Sequence, residues 1–392
     1  MNYLSRQRRL AADLERAKAQ ALLVTQMANV RYLCGFTGSS GVLLVFAGGR
    51  ASHPSPAKAV GLGTPASHPS PAKTAGLGTP ASRPVLYTDG RYTQQAADEV
   101  QGATVLVGKK PALTEAARHL LRRRVRVVAF DAEQLSYSSY RQLRQVLAGK
   151  ARLKPVSGLV EQLRLVKEPE EIEQMRASVL LAASLFPTAL SAIRPGVSES
   201  LVAGEMELQA RRAGAEKMSF DSIVASGARS ALPHGRASSQ PIPDKGFIIL
   251  DWGVILAGYC SDMTRTVHVG PVSLAHRRMY QAVRDAQAAS IEAVYPGVTA
   301  GQVDHAGRKV LETAGFGAYF THSTGHGVGL EVHESPRLAR GQTQKLKPGM
   351  VVTIEPGIYI PEEGGVRIED MVLVTESGRE VLTPTTKDLI TL

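Results

Sequence analysis

The chain contains few cysteines and no long apolar run. Its two cysteines, Cys34 and Cys260, lie far apart and neither belongs to a CxxC pair, which excludes a disulfide framework and suits a reducing compartment. No run of about 18 apolar residues occurs, so we expect no transmembrane segment and no membrane partner. The first 20 residues are charged and lack the apolar region of a signal peptide. We therefore expect a cytoplasmic protein.

Charge is distributed unevenly along the chain. Residues 1–155 carry 23 Lys and Arg against 8 Asp and Glu, whereas the remainder carries 23 basic and 27 acidic residues. The basic clusters Arg6–Arg9 (RQRR) and Arg122–Arg126 (RRRVR) would attract nucleic acid. No nucleic-acid-binding module is recognisable, however, so we interpret them as a solvated basic surface and expect no nucleic-acid partner. The acidic excess in the second part suits a site for divalent cations.

The first 157 residues alternate helical patterns with short apolar runs such as Ala21–Thr25 and Val125–Phe130. This alternation predicts an α/β domain over residues 1–157, followed by a second domain over 158–392. A 15-residue sequence, ASHPSPAKAVGLGTP (Ala51–Pro65), recurs with two changes at Ala66–Pro80. Its composition buries too little apolar surface to offset the entropy of ordering. We expect a mobile insertion at 51–84 between two hairpin strands, with an oligomerisation arm as the alternative.

Two stretches of the second domain resemble each other at an offset of 101 residues. Ile193–Glu216 (IRPGVSESLVAGEMELQARRAGAE) aligns with Val294–Gly317 (VYPGVTAGQVDHAGRKVLETAGFG). Each has a Pro-Gly turn, a Ser or Thr suited to a helix N-cap, an amphipathic stretch and a closing glycine. The similarity indicates a duplication, and it predicts that later chemical groups recur at about the same offset.

Three polar groups do recur, in the same order. His234 and His333 are 99 residues apart, Asp251 and Glu355 are 104 apart, and Asp262 and Glu369 are 107 apart. If the two halves fold alike, these groups converge around a pseudo-twofold axis.

Both acidic pairs flank predicted hairpins. A turn centred near Leu256-Ala257 sets Asp251 roughly opposite Asp262. A turn at PEEGG similarly brings Glu355 near Glu369. Arg367 lies two residues before Glu369 and therefore on the same strand face.

Carboxylates inside strands are costly unless they are paired or bound to metal. A single Asp in such a run is more often a turn or solvent-facing residue, and a lone histidine is more often hydrogen-bonded than ligating. Four carboxylates in two hairpins, with the imidazole of His326 between them in sequence, favour a pair of divalent cations about 3.5–4 Å apart.

His326 and His333 lie in the glycine-rich segment THSTGHGVGLEVHESP (Thr321–Pro336). The alternating glycines argue against a helix, and on a straight strand a separation of seven sends the two side chains to opposite faces. Residue spacing alone leaves open whether both histidines serve one site.

The motifs LPHG, LDWG, SDMTRT, STGHGVGLEVHESP, TIEPGIYIP and GGVRIED together resemble the Xaa-Pro peptidases of metallopeptidase family M24, aminopeptidase P and prolidase. The resemblance extends from NVRYLCGFTGSSG to the C-terminus, apart from the tandem repeat. It implies a creatinase-like α/β N-terminal domain and a duplicated α+β, or pita-bread, catalytic domain. It also implies a homodimer.

Carried over by position, the resemblance implies two metal ions, with Mn²⁺ expected and Co²⁺ or Zn²⁺ as alternatives. The implied metal ligands are Asp251, Asp262, His326, Glu355 and Glu369. His234 and His333 are implied as substrate-side histidines, and Arg367 and Tyr359 as neighbouring active-site residues. Glu355 is also expected to move a proton from the attacking water to the departing nitrogen. A bend at the glycines would let both His326 and His333 face one cavity.

The expected activity is removal of the N-terminal residue from peptides with proline at the second position, as in aminopeptidase P. A prolidase restricted to Xaa-Pro dipeptides is the alternative, because the motifs do not report how the cleft is closed. Methionine aminopeptidase shares the ligands but typically lacks the N-terminal domain and the arginine of GVRIED. A catalytically inactive peptide-binding protein is the remaining alternative, although all five ligands are present.

Overall fold

The structure is a computed structural model that describes residues 1–48 and 83–392. Nearly all of the predicted insertion, residues 51–84, lies outside the described residues. The chain divides into two compact units, Asn2–Leu163 and Arg164–Leu392. The domain boundary predicted after residue 157 falls shortly before this division.

The Asn2–Leu163 unit is an α/β domain built on a six-stranded sheet in the order β4-β3-β2-β1-β5-β6. Its strands are β1 (Ala21–Val24), β2 (Val42–Phe46), β3 (Val85–Asp89), β4 (Thr104–Gly108), β5 (Val127–Asp131) and β6 (Arg152–Val156). Its helices are α1 (Tyr3–Arg16), α2 (Met27–Cys34), α3 (Thr93–Glu99), α4 (Ala112–Arg122), α5 (Tyr137–Leu147) and α6 (Leu159–Arg164), which crosses the division.

The strands on either side of the tandem repeat pair directly. β2 and β3 are antiparallel, with Val42 opposite Tyr87 and Leu44 opposite Val85. Both strands are buried, because their apolar side chains face a core shared with α4 and α5. The prediction that the two strands flanking the repeat form a hairpin is therefore confirmed.

The Arg164–Leu392 unit combines helices with short, mainly antiparallel strands. Its helices are α7 (Pro169–Ser184), α8 (Phe186–Ala192), α9 (Glu199–Arg212), α10 (Leu274–Glu292) and α11 (Ala300–Thr313). Its first strands are β7 (Lys217–Met218), β8 (Ile223–Ser226), β9 (Gly246–Trp252), β10 (Val254–Leu256), β11 (Tyr259–Cys260) and β12 (Met263–Val269). They are followed by β13 (Gly325–Gly327), β14 (Glu334–Leu338), β15 (Val351–Ile354), β16 (Gly357–Ile360), β17 (Gly364–Arg367), β18 (Asp370–Thr375) and β19 (Gly378–Val381).

The two similar sequence stretches fold alike. α9 is capped by the Ser198 side chain and α11 by that of Thr299, 101 residues later. The glycines that precede these caps have φ of 84° and 88°, and those that follow the helices have 95° and 85°. All four positions lie in the left-handed region that favours glycine. The predicted duplication is confirmed at the level of turn, cap, helix and stop.

The first acidic hairpin is held by β9 and β12, and β10 and β11 continue it to its tip. Ala257 and Gly258 both have positive φ, as a two-residue type I′ turn requires. This turn centre lies one residue beyond the predicted one, so Asp251 pairs with Thr264 rather than with Asp262. Residues 262 and 264 share a strand face. The two aspartates are therefore diagonal neighbours rather than direct partners.

The second acidic hairpin matches the prediction closely. Ile354 pairs with Asp370 on β15 and β18, and Gly357 pairs with Arg367 on β16 and β17. Both pairings follow one register, and that register places Glu355 across from Glu369 in the gap between the two ladders. Asp262, Glu355 and Glu369 thus sit at interruptions of regular pairing, whereas Asp251 is paired one residue before the end of β9.

Among the described residues, one helical stretch is long and apolar enough to cross a membrane by length and composition, Pro169–Ala192, with a mean hydropathy of 1.3. A core helix of a soluble protein passes the same test. Ala182, Phe186 and Ala189 of this stretch belong to the apolar core that surrounds Trp252. The absence of a transmembrane segment stays a prediction.

Gly253 separates β9 from β10, and it provides a test of the first hairpin. A Cβ at this position would lie 1.8 Å from the main-chain oxygen of Ser261. We expect Gly253→Ala to lower the free energy of unfolding by about 1–3 kcal/mol or more, because the main chain must move to admit the methyl group. Urea denaturation measures this change.

Gly204→Ala on α9 is the matched control. A Cβ on Gly204 meets nothing within 4 Å among the described residues outside its own helix, so this substitution should stabilise the protein by about 0.5–1 kcal/mol. Equal stability of the two variants would contradict the close approach of the two strands at Gly253.

Candidate metal centre

The two hairpins bring their carboxylates to one buried place. Asp251 is 9% exposed, Asp262 5% and Glu369 2%. Ligand atoms of Asp262, His326 and Glu369 all lie within 4.8 Å of one another. The convergence predicted from the offsets in sequence is therefore present.

Thr264 joins the two halves at this point. Its main-chain oxygen accepts a hydrogen bond from the Glu369 amide at 3.1 Å, and its hydroxyl donates to Glu369 Oε2 at 2.7 Å. These two bonds fix both the main chain and the side chain of Glu369. The sequence contained no signal for this role beyond the position of Thr264 inside the SDMTRT motif.

His326 presents a free ring nitrogen to the carboxylates. Its Nδ1 lies 3.0 Å from the main-chain oxygen of Gly327, which can only accept, so Nδ1 carries the proton. Burial lowers the pKa of His326 and keeps the ring neutral. Nε2, with its lone pair, lies 3.6 Å from Asp262 Oδ2 and 3.5 Å from Glu355 Oε1.

His333 lies beside His326 in spite of the odd spacing between them. The two rings meet edge to face with centroids 4.4 Å apart. β13 and β14 are antiparallel, with Gly327 opposite Glu334. The chain therefore reverses direction between the two histidines, and the alternation of a straight strand does not apply to them. Burial and the neighbouring His326 lower the pKa of His333.

His234 occupies an exposed loop that leads out of the short 3₁₀ helix Gly227–Ala231. An electrostatic interaction links it to His333 and to His322, so it lies near both rings. The main-chain oxygen of the preceding Pro233 accepts a hydrogen bond of 3.0 Å from Arg367.

Arg367 is buried and faces the centre, as its position two residues before Glu369 predicted. Its guanidinium donates to Asp251 Oδ2 at 2.6 Å, to the Tyr359 hydroxyl at 2.7 Å and to the Thr264 hydroxyl at 3.2 Å. It supplies a fixed positive charge at one edge of the carboxylate cluster.

His322, which the sequence analysis did not single out, completes this edge. Its Nδ1 donates to the main-chain oxygen of Ser323 at 2.8 Å, and its Nε2 lies 2.9 Å from the Tyr359 hydroxyl. Burial, reinforced by Arg367, lowers the pKa of His322 to about 4. The ring is therefore neutral, and Tyr359 donates its proton to Nε2 while it accepts from Arg367.

The carboxylates raise one another's pKa. Burial is the largest cause for Asp262 and Glu369, whose pKa values are both well above the ordinary range, and the neighbouring carboxylates add to it. Burial raises the pKa of Glu355 to about 7, against the opposing effect of Arg367. The cluster as it stands is short of positive charge.

Two of the buried oxygens are also short of partners. Asp251 Oδ1 and Glu369 Oε1 have no hydrogen-bond partner within residues 1–48 and 83–392. Leaving a buried carboxylate oxygen unpaired is costly unless a cation satisfies it. Four carboxylates and one imidazole lone pair form a donor set that suits divalent cations such as Mn²⁺. The residues present therefore fit a metal centre.

Comparison with known proteins agrees with this chemistry. Residues 173–376 match metallopeptidase family M24, and residues 6–54 and 69–166 match the creatinase/prolidase N-terminal domain. The unmatched residues 55–68 lie within the tandem repeat. The chain belongs to metallopeptidase family M24 and is a hydrolase. Its creatinase-like N-terminal domain and pita-bread catalytic domain are as predicted, and the family acts through divalent metal ions.

Individual relatives resemble the whole chain. It is 40% identical over 371 residues to an uncharacterized peptidase of Bacillus subtilis, YqhT, with 95% of each chain covered. A Xaa-Pro dipeptidase from Bacillus anthracis is 38% identical, with a TM-score of 0.88 over 100% of both chains. An X-Pro aminopeptidase from Thermotoga maritima is 30% identical, with a TM-score of 0.82 over 97% of this chain and 100% of that one.

The raised pKa of Glu355 predicts a pH dependence of stability in metal-free protein. Since the folded-state pKa of about 7 exceeds the ordinary 4.5, the stabilisation is complete below pH 4.5 and is lost as pH rises through 7. We expect the Tm measured in a chelator to fall between pH 5 and pH 8.

Added Mn²⁺ should raise Tm more at pH 8 than at pH 5, because ligands bind metal in their deprotonated form. Glu355→Gln is the control and should weaken the fall in Tm. A metal-free Tm that rises over this range would contradict the proximity of the carboxylates.

Proposed function

We propose that the protein is a Xaa-Pro dipeptidase that uses two divalent metal ions, with Mn²⁺ as the expected metal. The observation that carries the proposal is the convergence of three buried carboxylates, the partly exposed Glu355 and the His326 lone pair. Two of the buried carboxylate oxygens have no other partner among the described residues. The preference for dipeptides rests on the dipeptidase from Bacillus anthracis, which is more similar to this chain than the aminopeptidase from Thermotoga maritima.

Five residues would hold the metals. Asp262 and Glu369 lie where the two hairpins meet, and each would offer carboxylate oxygens to the metal pair. Asp251, Glu355 and the Nε2 of His326 would complete the donor set. When bound, a pair of divalent ions lowers the pKa of water and polarises a carbonyl group, which is the chemistry that amide hydrolysis needs.

The chain's own groups would then move the proton and orient the substrate. Glu355, whose side chain is partly exposed beside His326, would take a proton from the attacking water and pass it to the departing nitrogen. His333, neutral and partly exposed beside His326, would donate to the oxygen on which negative charge develops. Arg367 would hold Asp251 at the angle that a ligand requires.

Because the substrate has proline after the scissile bond, a further group is needed to orient the leaving side. Its amide nitrogen carries no hydrogen before cleavage, so no acceptor on the enzyme can hold it. His234, which lies near His333, is the candidate for orienting the substrate at the leaving side. The free α-amine of the substrate would lie near the acidic cluster, which would restrict cleavage to the first peptide bond.

An X-Pro aminopeptidase is the second candidate, favoured by the similarity to the Thermotoga maritima enzyme over nearly the whole chain. It is also the activity favoured by the sequence alone. The same metal centre serves both, and only the room available beyond proline separates them. Cytoplasmic Xaa-Pro peptides would be the substrates in either case. Separately, we propose that the protein is a homodimer.

Substrate length distinguishes these candidates. With Mn²⁺ loaded, we expect a Xaa-Pro dipeptide to be hydrolysed with a kcat/KM at least about tenfold above that of the matching Xaa-Pro-Xaa tripeptide, a difference of about 1.4 kcal/mol in transition-state stabilisation. Release of the first amino acid is followed by chromatography. A higher kcat/KM for the tripeptide would establish the aminopeptidase instead.

Residue roles are tested by paired substitutions. Asp262→Ala and Glu369→Ala should abolish turnover and binding of the metal pair, because each removes a buried carboxylate from the centre of the donor set. His333→Ala should retain both metals while kcat falls by about 10²–10³, the usual effect of losing a donor to a developing oxyanion. Metal content by mass spectrometry and steady-state kinetics measure the two effects.

Leu201→Ala, on the exposed face of α9, is the control and should leave metal content and turnover unchanged. Unchanged turnover in His333→Ala would remove the role given to His333. Two bound metals in Glu369→Ala would remove the ligand role given to Glu369.

A further inference from the structure

A second polar cluster lies behind Glu369, on the strand faces that point away from the metal centre. Arg265 follows Thr264 on β12, and Asp370 follows Glu369 at the start of β18. Neighbouring residues of a strand point to opposite faces. Thr264 and Glu369 therefore face the centre, while Arg265, 1% exposed, and Asp370, 0% exposed, meet on the reverse side.

Arg265 uses all five of its N–H donors. Nε donates to Thr386 O at 2.7 Å, Nη1 donates to Thr264 O at 2.8 Å and Glu369 O at 2.7 Å, and Nη2 donates to Asp370 Oδ1 at 2.8 Å and Thr385 O at 2.6 Å. One guanidinium thus fastens the main chain of Glu369 to the main chain of Thr264. Both residues belong to the centre, and they come from different halves of the duplication.

Asp370 keeps Arg265 in place. Its carboxylate also accepts from Gln287 Nε2 on α10 at 2.8 Å and from Lys387 Nζ at 2.9 Å. Two cations thus face one fully buried anion, so cations are in excess on the reverse face, whereas carboxylates are in excess on the metal face. A lysine at position 265 would keep the charge but could not reach five acceptors.

The C-terminal segment is part of this arrangement. Thr385 and Thr386 supply two of the acceptors for Arg265, and Lys387 supplies the second cation. The end of the segment is fastened to β12, since the His268 amide donates to Ile390 O and the Leu392 amide donates to His268 O, both at 2.9 Å. The segment therefore docks along the strand that carries Thr264 and Arg265.

We propose that Arg265 is a positioning residue for the metal centre, and that docking of residues Thr385–Lys387 is coupled through it to metal affinity. This inference rests on the proposed function, in which Glu369 is a metal ligand. Arg265 touches neither metal nor substrate. It fixes the carbonyl groups of Thr264 and Glu369, and so the angle at which the Glu369 carboxylate enters the centre.

The experiment is calorimetric titration of metal-free, full-length protein with Mn²⁺, together with thermal unfolding in a chelator. Loss of a group that orients a metal ligand typically weakens metal affinity by about 10- to 100-fold. We expect this loss in Arg265→Lys. We expect a smaller weakening of Mn²⁺ binding in Lys387→Met. This substitution removes the ammonium group of a side chain that is 31% exposed and leaves Arg265 in place.

Arg229→Lys is the matched control. Arg229 also donates to a buried carboxylate, that of Glu199, at 3.1 Å, but it has no contact with Glu369 or Thr264 among the described residues. Its substitution should lower Tm in the chelator and leave the Kd for Mn²⁺ unchanged. If Arg265 had only a structural role, Arg265→Lys would likewise lower Tm in the chelator and leave the Kd for Mn²⁺ unchanged.

The outcomes separate the two proposals. Weakened Mn²⁺ binding in Arg265→Lys with normal binding in Arg229→Lys supports the inference, and if Arg265→Lys does not fold, Lys387→Met decides. Wild-type Kd values in the folded variants overturn the inference alone. Failure of the unmodified protein to bind Mn²⁺ overturns the proposed function and the inference with it.

Discussion

Mutual repulsion among Asp251, Asp262, Glu355 and Glu369 is the constraint on which the rest of the catalytic unit depends. Like charges a few ångströms apart in a buried site interact strongly, because little water screens them. The fold offsets part of this repulsion with Arg367 and leaves the remainder to protons or to cations. An acidic cluster of this kind persists only if the surrounding chain prevents it from opening.

The duplication supplies that resistance. Each half contributes one hairpin that presents two carboxylates, and all of them except Asp251 lie at breaks in the ladder of hydrogen bonds. Thr264 and Arg265 then fasten the halves together from opposite faces of one strand. The acidic side chains are held by main chain that is bonded on both sides, so repulsion cannot be relieved by separating the two hairpins.

Much of this could be predicted from the sequence, because duplicated motifs preserve the order of chemical groups. The helices after Ser198 and Thr299, the pairing of Glu355 with Glu369 and the position of Arg367 all followed from spacing. The register of the first hairpin did not. It depends on which two residues adopt positive φ, and Ala257, an unfavourable choice for that conformation, carried no signal.

The neighbourhood of the centre was also beyond prediction. His322 and Arg265 act through contacts with residues distant in sequence, and no local period or motif spacing marks such partners. The adjacency of His326 and His333 depends on the chain reversal between β13 and β14, which residue spacing left open and which the family resemblance implied as a bend. Residue spacing therefore located the carboxylates, and tertiary packing decided what surrounds them.

The hydrogen-bond directions around Tyr359 have a consequence for whatever binds beside it. Its one hydroxyl hydrogen points to His322, and Arg367 fills one of the two lone pairs on its oxygen. The Tyr359 hydroxyl can therefore accept one more hydrogen bond but has no hydrogen left to donate. A ligand that binds beside Tyr359 would therefore donate an N–H or O–H group to this oxygen. A carbonyl oxygen at the same place would face a lone pair and would be disfavoured.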